Sequence, residues 1–288
     1  MSGNDGTLYF NPASGPGSQP SEIDGAELDI LQLPSGMSTY AAPILPEPEE
    51  LVGVDEAKQL LQELLAAMVD YTTDQPPLAV DLAELDAANL DLIDQVLGEG
   101  EVSILFDGET EIKIQESVLA GVWRLKGYRG GNLVADQIEV GSVPSLIAQQ
   151  TFSQAAATAQ FNPQAVPPGV GNAVPLIAEI NDQLAAFQQQ QNNHVINLTL
   201  LPINEYDLGF LDTVLGEGNT KILSRGYGNC RISSTQLSHV WWVQYFNSQD
   251  KNILNTLEIT QVPEAACAAQ EDINDSSQRL REILEVYA

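Results

Sequence analysis

Positive charge is what this chain of 288 residues has least of. Eleven Lys and Arg stand against 40 Asp and Glu, giving a net charge of −29 and a pI near 4.1. A surface that acidic repels phosphate backbones and anionic membrane faces, which excludes nucleic acid as a partner and disfavours a lipid surface. The same field attracts a basic peptide or a basic protein face, although acidity alone also serves solubility. Long hydrophobic runs are missing too: nothing approaches the ~18–20 apolar residues of a membrane span. The first cation is Lys58, so a secretory signal with a basic leader is not expected. Two cysteines, Cys230 and Cys267, are too few for a disulfide framework and suit a reducing compartment. The expectation is an acidic cytoplasmic protein with no membrane insertion.

What is present organises the chain. Hydrophobic residues make up 43% of it, enough to bury a core, and the length suits about two domains of ~150 residues. Residues 1–50 hold seven of the 16 prolines, six glycines and no Lys or Arg, which reads as an extended or disordered arm. Its more apolar part, 27–50, is suited to lie on the protein's own body or on a partner. Ala57, Leu60, Leu61, Leu64, Leu65 and Met68 then form one helical stripe. Ala173, Leu176, Ile177, Ile180, Leu184 and Phe187 form another, with Pro175 in the first turn where a missing N–H costs little. The Gln/Ala/Pro-rich stretch 148–172 between them reads as a linker.

An internal repeat is the strongest feature. Leu97-Gly-Glu-Gly100 recurs as Leu215-Gly-Glu-Gly218, and Val122-Trp123 as Val240-Trp241, both at an offset of 118. Leu78, Val80 and Leu82 pair with Ile196, Leu198 and Leu200 at that offset, and Val143-Pro144 with Val262-Pro263 at 119. A tandem duplication is expected, with a first repeat at 51–147 and a second at 173–288. Each copy runs from an amphipathic helix through an alternating strand and a short glycine-capped helix into β-rich runs joined by hairpin turns. Leu280, Ile283, Leu284 and Tyr287 close copy two with a helix. The fold class is α+β: helices on one face of a mainly antiparallel sheet, in two related lobes.

Catalytic chemistry is sparse. His194 sits in a Gln/Asn run and reads as a solvated loop residue; His239 precedes Val240-Trp241-Trp242 and reads as structural. No nucleophile elbow, zinc-binding helix, phosphate loop or Cys-x-x-Cys occurs. The Gly-x-Gly doublets carry Glu99 and Glu217 or lead into strands, so they read as turns and caps rather than nucleotide loops. Eleven acidic residues fall between Asp81 and Glu116, read as a solvated face or as a docking face for a basic segment. No catalytic, cofactor or metal residue is assigned. Cys230 lies between Asn229 and Arg231, where a cation could lower its thiol pKa, while Cys267 reads as buried. Trp241, Trp242, Tyr245 and Phe246 alternate across a strand, one side core and the other a possible aromatic interface.

Several segments carry a family resemblance. Gly226-Tyr-Gly-Asn-Cys-Arg-Ile232, His239-Val-Trp-Trp-Val-Gln-Tyr-Phe-Asn-Ser248, Ile253-Leu-Asn-Thr-Leu-Glu258 and Val262-Pro263 through Leu280 resemble the HupH/HyaF hydrogenase expression/formation proteins. Leu33-Pro-Ser-Gly-Met-Ser-Thr-Tyr40 and Leu45-Pro-Glu-Pro-Glu-Glu50 extend the likeness to about residue 30. Copy one departs from the pattern, with Asp107-Gly-Glu-Thr-Glu-Ile112 in place of the glycine-rich turn. The resemblance implies a non-enzymatic accessory protein for a membrane-bound uptake [NiFe] hydrogenase. It would act in the cytoplasm on the iron–sulfur small subunit before export, with a thioredoxin-like partner chaperone. The cargo would carry a basic twin-arginine signal peptide. Tyr227, Cys230, Arg231, His239, Trp242, Tyr245, Asn247 and Cys267 form the candidate interaction or thiol site. The rival expectation is a redox or iron–sulfur assembly factor that uses Cys230.

Overall fold

The computed structural model describes residues 45–46, 51–73, 75–226 and 229–287; the expected arm at 1–50 lies almost wholly outside them. The elements are α1 (Asp55–Asp70), β1 (Leu78–Asp81), α2 (Ala87–Leu97), β2 (Val102–Phe106), β3 (Glu111–Glu116), β4 (Val122–Arg129), β5 (Asn132–Val140) and α3 (Ser145–Gln150). There follow α4 (Ala173–Gln190), β6 (His194–Asn197), α5 (Glu205–Leu215), β7 (Glu217–Ser224), β8 (Asn229–Thr235), β9 (Val240–Phe246), β10 (Asn252–Ile259) and α6 (Gln270–Val286). The α+β reading holds.

Local chemistry places these elements. The stripe predicted for α1 is buried at Ala57, Leu60, Leu61, Leu64 and Met68, with Asp55 and Glu56 at the end where the helix dipole favours anions. Asp86 and Asn204, 118 apart, each accept a backbone N–H at the start of α2 and α5. The Gly-Glu-Gly turns that follow are steric necessities. A Cβ on Gly100 would lie 2.2 Å from the Ser117 carbonyl oxygen, and one on Gly218 would lie 2.3 Å from Ser234 Oγ. Leu198 and Leu200, expected on a strand, instead form a short 3₁₀ turn after β6, because Asn197 Oδ1 accepts the Thr199 N–H and closes the backbone locally.

All ten strands join in one antiparallel sheet, ordered β1-β5-β4-β3-β2-β7-β8-β9-β10-β6. The order reads alike from either edge toward the β2–β7 pair. There Ile104 faces Ile222, its counterpart at the 118 offset; Val102 faces Ser224 while Phe106 faces Thr220. Such reciprocal exchange of partners is the register of a two-fold, isologous contact. The two related lobes that were expected are therefore continuous through one shared sheet.

Alternation of side chains divides the core. On one face α1, α2 and α6 pack over Val122, Ile138 and Val140 of the first half. On the same face α4 and α5 pack over Val240, Trp242, Leu257 and Ile259 of the second. The opposite face is centred on Trp123 and Trp241, both fully buried, with Ile104, Ile222, Cys230 and Ile232.

The two segments that cover this Trp face change halves. After β5, Pro144 opens α3 and the chain runs on until Ala156 bridges Leu237 of the second half. Phe152 meets Trp241 edge-on, with ring centroids 5.1 Å apart. After β10, Pro263 has nearly the same backbone angles as Pro144, and the chain then crosses into α6. That helix packs on α1 of the first half: Ser276 Oγ accepts the Ala120 N–H at 2.8 Å and Lys58 Nζ donates to the Tyr287 carbonyl at 3.1 Å. Within 148–172 Thr151 and Ala159 are buried and most other residues are exposed, while α6 closes the first half rather than the second.

Leu280→Ala tests this exchange. Leu280 is fully buried against α1, so truncation should cost about 2–5 kcal/mol in urea unfolding. Hydrogen exchange should quicken in α1, 200 residues away in sequence, before it quickens in α4.

Candidate functional site

The candidate residues lie mainly on β8, β9 and the turn after β10, but on two sides of the sheet. Tyr227 lies outside the described residues. Cys230 and Tyr245 face each other in register on the Trp face. Arg231 and Trp242 point to the helical face, where Arg231 sits over the Phe246 ring at 4.2 Å and Trp242 Nε1 donates to Asn255 Oδ1 at 2.6 Å. Asn247 belongs to the β9–β10 turn: its Oδ1 accepts the Gln249 and Lys251 N–H groups. Cys267 Sγ donates to the Pro263 carbonyl at 3.5 Å, closing the turn before α6.

Electrostatics on the Trp face keeps protons on. Burial pushes the Cys230 thiol up to about 12, with the Tyr245 hydrogen bond opposing and Glu258 adding to the rise. Burial likewise pushes Cys267 up to about 11, with Glu264 adding to the rise. Tyr245 is raised as well, first by burial, then by Cys230 and Glu258, and Glu258 is raised by burial with Glu264 adding to it. The expectation that Arg231 lowers the Cys230 thiol is corrected here. Neighbours in a strand face opposite ways, so the guanidinium is on the far side of the sheet. Cys230, Tyr245 and Glu258 form a proton-holding cluster, poorly suited to thiolate chemistry. Among the described residues no three His, Cys, Asp or Glu side chains converge as a metal site.

His239 has an unusual backbone. Its φ is +61°, at the position where the first half has Gly121 with φ +76°. A positive φ is strained for a residue with a side chain. The ring lies between Phe187 at 4.9 Å and Phe152 at 5.5 Å; burial lowers its pKa, and the Thr260 backbone opposes that. His194 is half-exposed beside Glu179, at 3.1 Å.

Three buried polar groups escaped the sequence reading. Arg124 grips Asp136 through two hydrogen bonds and reaches Asp94 at 3.2 Å. Asp207 Oδ1 accepts the Gly171, Asn172 and Ala173 N–H groups at 2.8, 2.8 and 2.9 Å. Burial opposes its ionisation, but these bonds outweigh it and hold the pKa down. Asn89, its counterpart 118 residues earlier, accepts the Ala57 N–H of α1, so the repeat offset was the signal that could have found it. Glu116 is buried at the end of β3, and burial first, then Glu101 and Asp272, raises it to about 7 against the Gly121 N–H. A cleft of about 790 Å³ opens where the crossing segment meets β7, lined by Asp107, Gln154, Ala156, Gly218, Asn219 and Gln236.

The family described as HupH hydrogenase expression protein, C-terminal conserved region, matches the chain twice, at 54–162 and 170–287, and the chain belongs to that family. It is 46% identical over 270 residues to hydrogenase expression/formation protein HoxQ of Cupriavidus necator, covering 94% of each chain. It is 47% identical over 274 residues to the HupH protein of Rhodobacter capsulatus, again covering 94% of each. It is 34% identical over 280 residues to hydrogenase-1 operon protein HyaF of Escherichia coli, covering 95% of each.

Two measurements follow from the titrating groups. At pH 8 the thiolate fraction should be about a thousandfold below that of an ordinary thiol at Cys230 and about a hundredfold below at Cys267. Iodoacetamide should therefore label both far more slowly in native protein than in urea; equal rates would refute the proton-holding cluster. Folded Glu116 keeps its proton up to about 7, whereas the unfolded group loses it near 4.5, so its contribution to stability is lost as pH rises through that window. Glu116→Gln should then raise the unfolding free energy by about 3 kcal/mol near pH 8 and change it little below 4.5.

Proposed function

We propose that this protein is a non-enzymatic accessory protein in the formation of a membrane-bound uptake [NiFe] hydrogenase. It holds the iron–sulfur small-subunit precursor in the cytoplasm before export. The observation that carries the reading is family membership through both halves of the chain, with relatives named as hydrogenase expression/formation proteins. The net charge of −29 supports attraction of the basic leader of such a precursor, and a thioredoxin-like chaperone is the expected third component. We further propose that the halves are two copies of one unit. The two separate family matches and the reciprocal β2–β7 register support that reading. Raised thiol pKa values weigh for a scaffold over an assembly factor working through Cys230.

Co-expression of the tagged chain with the small-subunit precursor, followed by native mass spectrometry, tests the proposal. A stoichiometric complex is expected. Its affinity should fall at least tenfold between about 0.05 M and about 0.5 M salt, and should fall similarly when the twin arginines of the leader become glutamines. Recovery of the chain alone, or with iron but no precursor, would sink the scaffold reading. A complex indifferent to salt would sink its electrostatic part.

A further inference from the structure

The two halves cover corresponding turns in different ways, and the difference leaves a cleft in the second. In the first half α6 lies over the turn between β3 and β4. Arg279 Nη1 donates to the Val118 carbonyl at 3.2 Å, and Ser276 Oγ accepts the Ala120 N–H at 2.8 Å. Gln236 and Ser238, between β8 and β9, are the counterparts of Val118 and Ala120 at the 118 offset. There Ala156 alone meets both groups: its N–H donates to the Gln236 carbonyl at 2.8 Å and its carbonyl accepts the Ser238 N–H at 2.9 Å. A helix with side chains is about 10–12 Å across, whereas an extended chain takes up about 4.8 Å. The slimmer cover leaves the cleft of about 790 Å³ between the crossing segment and β7.

The lining selects what enters. One wall holds Gln154, Ala155, Ala157 and Gln160, from a stretch with no Asp, Glu, Lys or Arg between Val140 and Ala178. The alanines leave room for a backbone, and the side chains of Gln154, Gln160 and Gln236 make no hydrogen bond among the described residues. The charged lining residues are Asp107 and Glu217, with no Lys or Arg among them. Glu217 meets Lys221, which leaves Asp107 as an exposed carboxylate without an ion pair among the described residues. Burial first, then Glu217, raises the carboxyl of Asp212, so negative charge is crowded at this rim. Asp107 and Arg225 are counterparts at the 118 offset: the Asp107 N–H donates to the Asn219 carbonyl as the Arg225 N–H donates to that of Glu101. The charge at this position is therefore reversed in the half whose cover is open.

We infer that the cleft is the seat of the basic leader of the small-subunit precursor, with Asp107 as counter-charge to an arginine and the glutamines as partners for the leader's backbone. The first half supplies the template, an arginine-bearing segment laid over the corresponding turn. A neutral wall beside an unpaired carboxylate favours a cation and offers nothing to an anion. The leader's identity rests on the maturation reading; its place rests on the cleft.

Two variants of the full-length chain test this against the precursor and a synthetic leader peptide. Asp107→Arg installs the charge of the first half, and Ala157→Trp fills the cleft; both positions are exposed. Asp107→Arg should weaken binding about tenfold or more near 0.05 M salt, with the loss shrinking near 0.5 M. Ala157→Trp should abolish peptide binding. Once the twin arginines of the leader are glutamines, Asp107→Arg should have little further effect, because both changes remove one contact. Unchanged hydrogen exchange in β7 and β9 verifies that the variants are folded. A precursor that binds the unaltered chain and both variants alike would overturn the inference and leave the scaffold reading standing. Additive losses from Asp107→Arg and the arginine replacements would overturn it too, placing the leader elsewhere. Absence of any complex with the unaltered chain would remove the scaffold reading and the leader's seat together.

Discussion

The β2–β7 ladder is the constraint on which the rest of the molecule depends. Each half alone is a five-stranded sheet whose inner edge would be a row of unpaired N–H and C=O groups. Pairing the two edges about Ile104 and Ile222 removes both exposed edges at once and places the two tryptophans on one continuous face. That face needs a lid, and neither half supplies its own. The segment after β5 crosses toward Trp241 and the segment after β10 crosses back to α1, so neither half can be completed without the other. Cooperative unfolding of the whole sheet, rather than of two independent lobes, is the consequence of that exchange.

Much of this was legible. The helical stripes of α1 and α4, the glycine-capped α2 and α5, and the hairpins all follow from local periodicity and turn chemistry, and they appear where the residues put them. Non-local choices were not legible. Val143-Pro144 and Val262-Pro263 announce a chain reversal, but nothing in that dipeptide tells which half the next helix will cover. The destination of α6 is decided by Ile273, Ser276 and Leu280 fitting against α1 and the Ala120 turn, a choice made by complementary surfaces and not by propensity. Within 148–172 the glutamines face water while Thr151, Phe152 and Ala159 turn inward, a division that composition does not reveal.

The candidate site shows the corresponding limit for chemistry. Adjacency in sequence suggested that Arg231 would act on Cys230, yet in a strand adjacency means opposition. Residues that act on each other come from neighbouring strands, as Cys230 and Tyr245 do. Register, not spacing, sets Cys230 against Tyr245. Register also collects five scattered cations onto the helical face, a pattern invisible in a chain whose average charge is so negative.

The halves differ most where their frameworks agree best, and the differences carry costs in the second. Gly121 takes its positive φ freely, whereas His239 takes nearly the same angle with a side chain attached. Trp123 Nε1 donates to the Gly141 carbonyl at 2.8 Å, while Trp241 Nε1 is buried without a partner among the described residues. Arg124, held by two aspartates, corresponds to Trp242, which packs beneath α4 and α5. A fold that needed only a second lid-bearing half would have no use for these departures, since glycine and a satisfied indole are available solutions already present at the first. Strain and orphaned polar groups concentrate where structure serves something besides stability. The end of the second half around His239, Trp241 and Phe152 is therefore the place where this duplicated-looking scaffold has given up some stability, and it lies where a crossing segment enters from the other half.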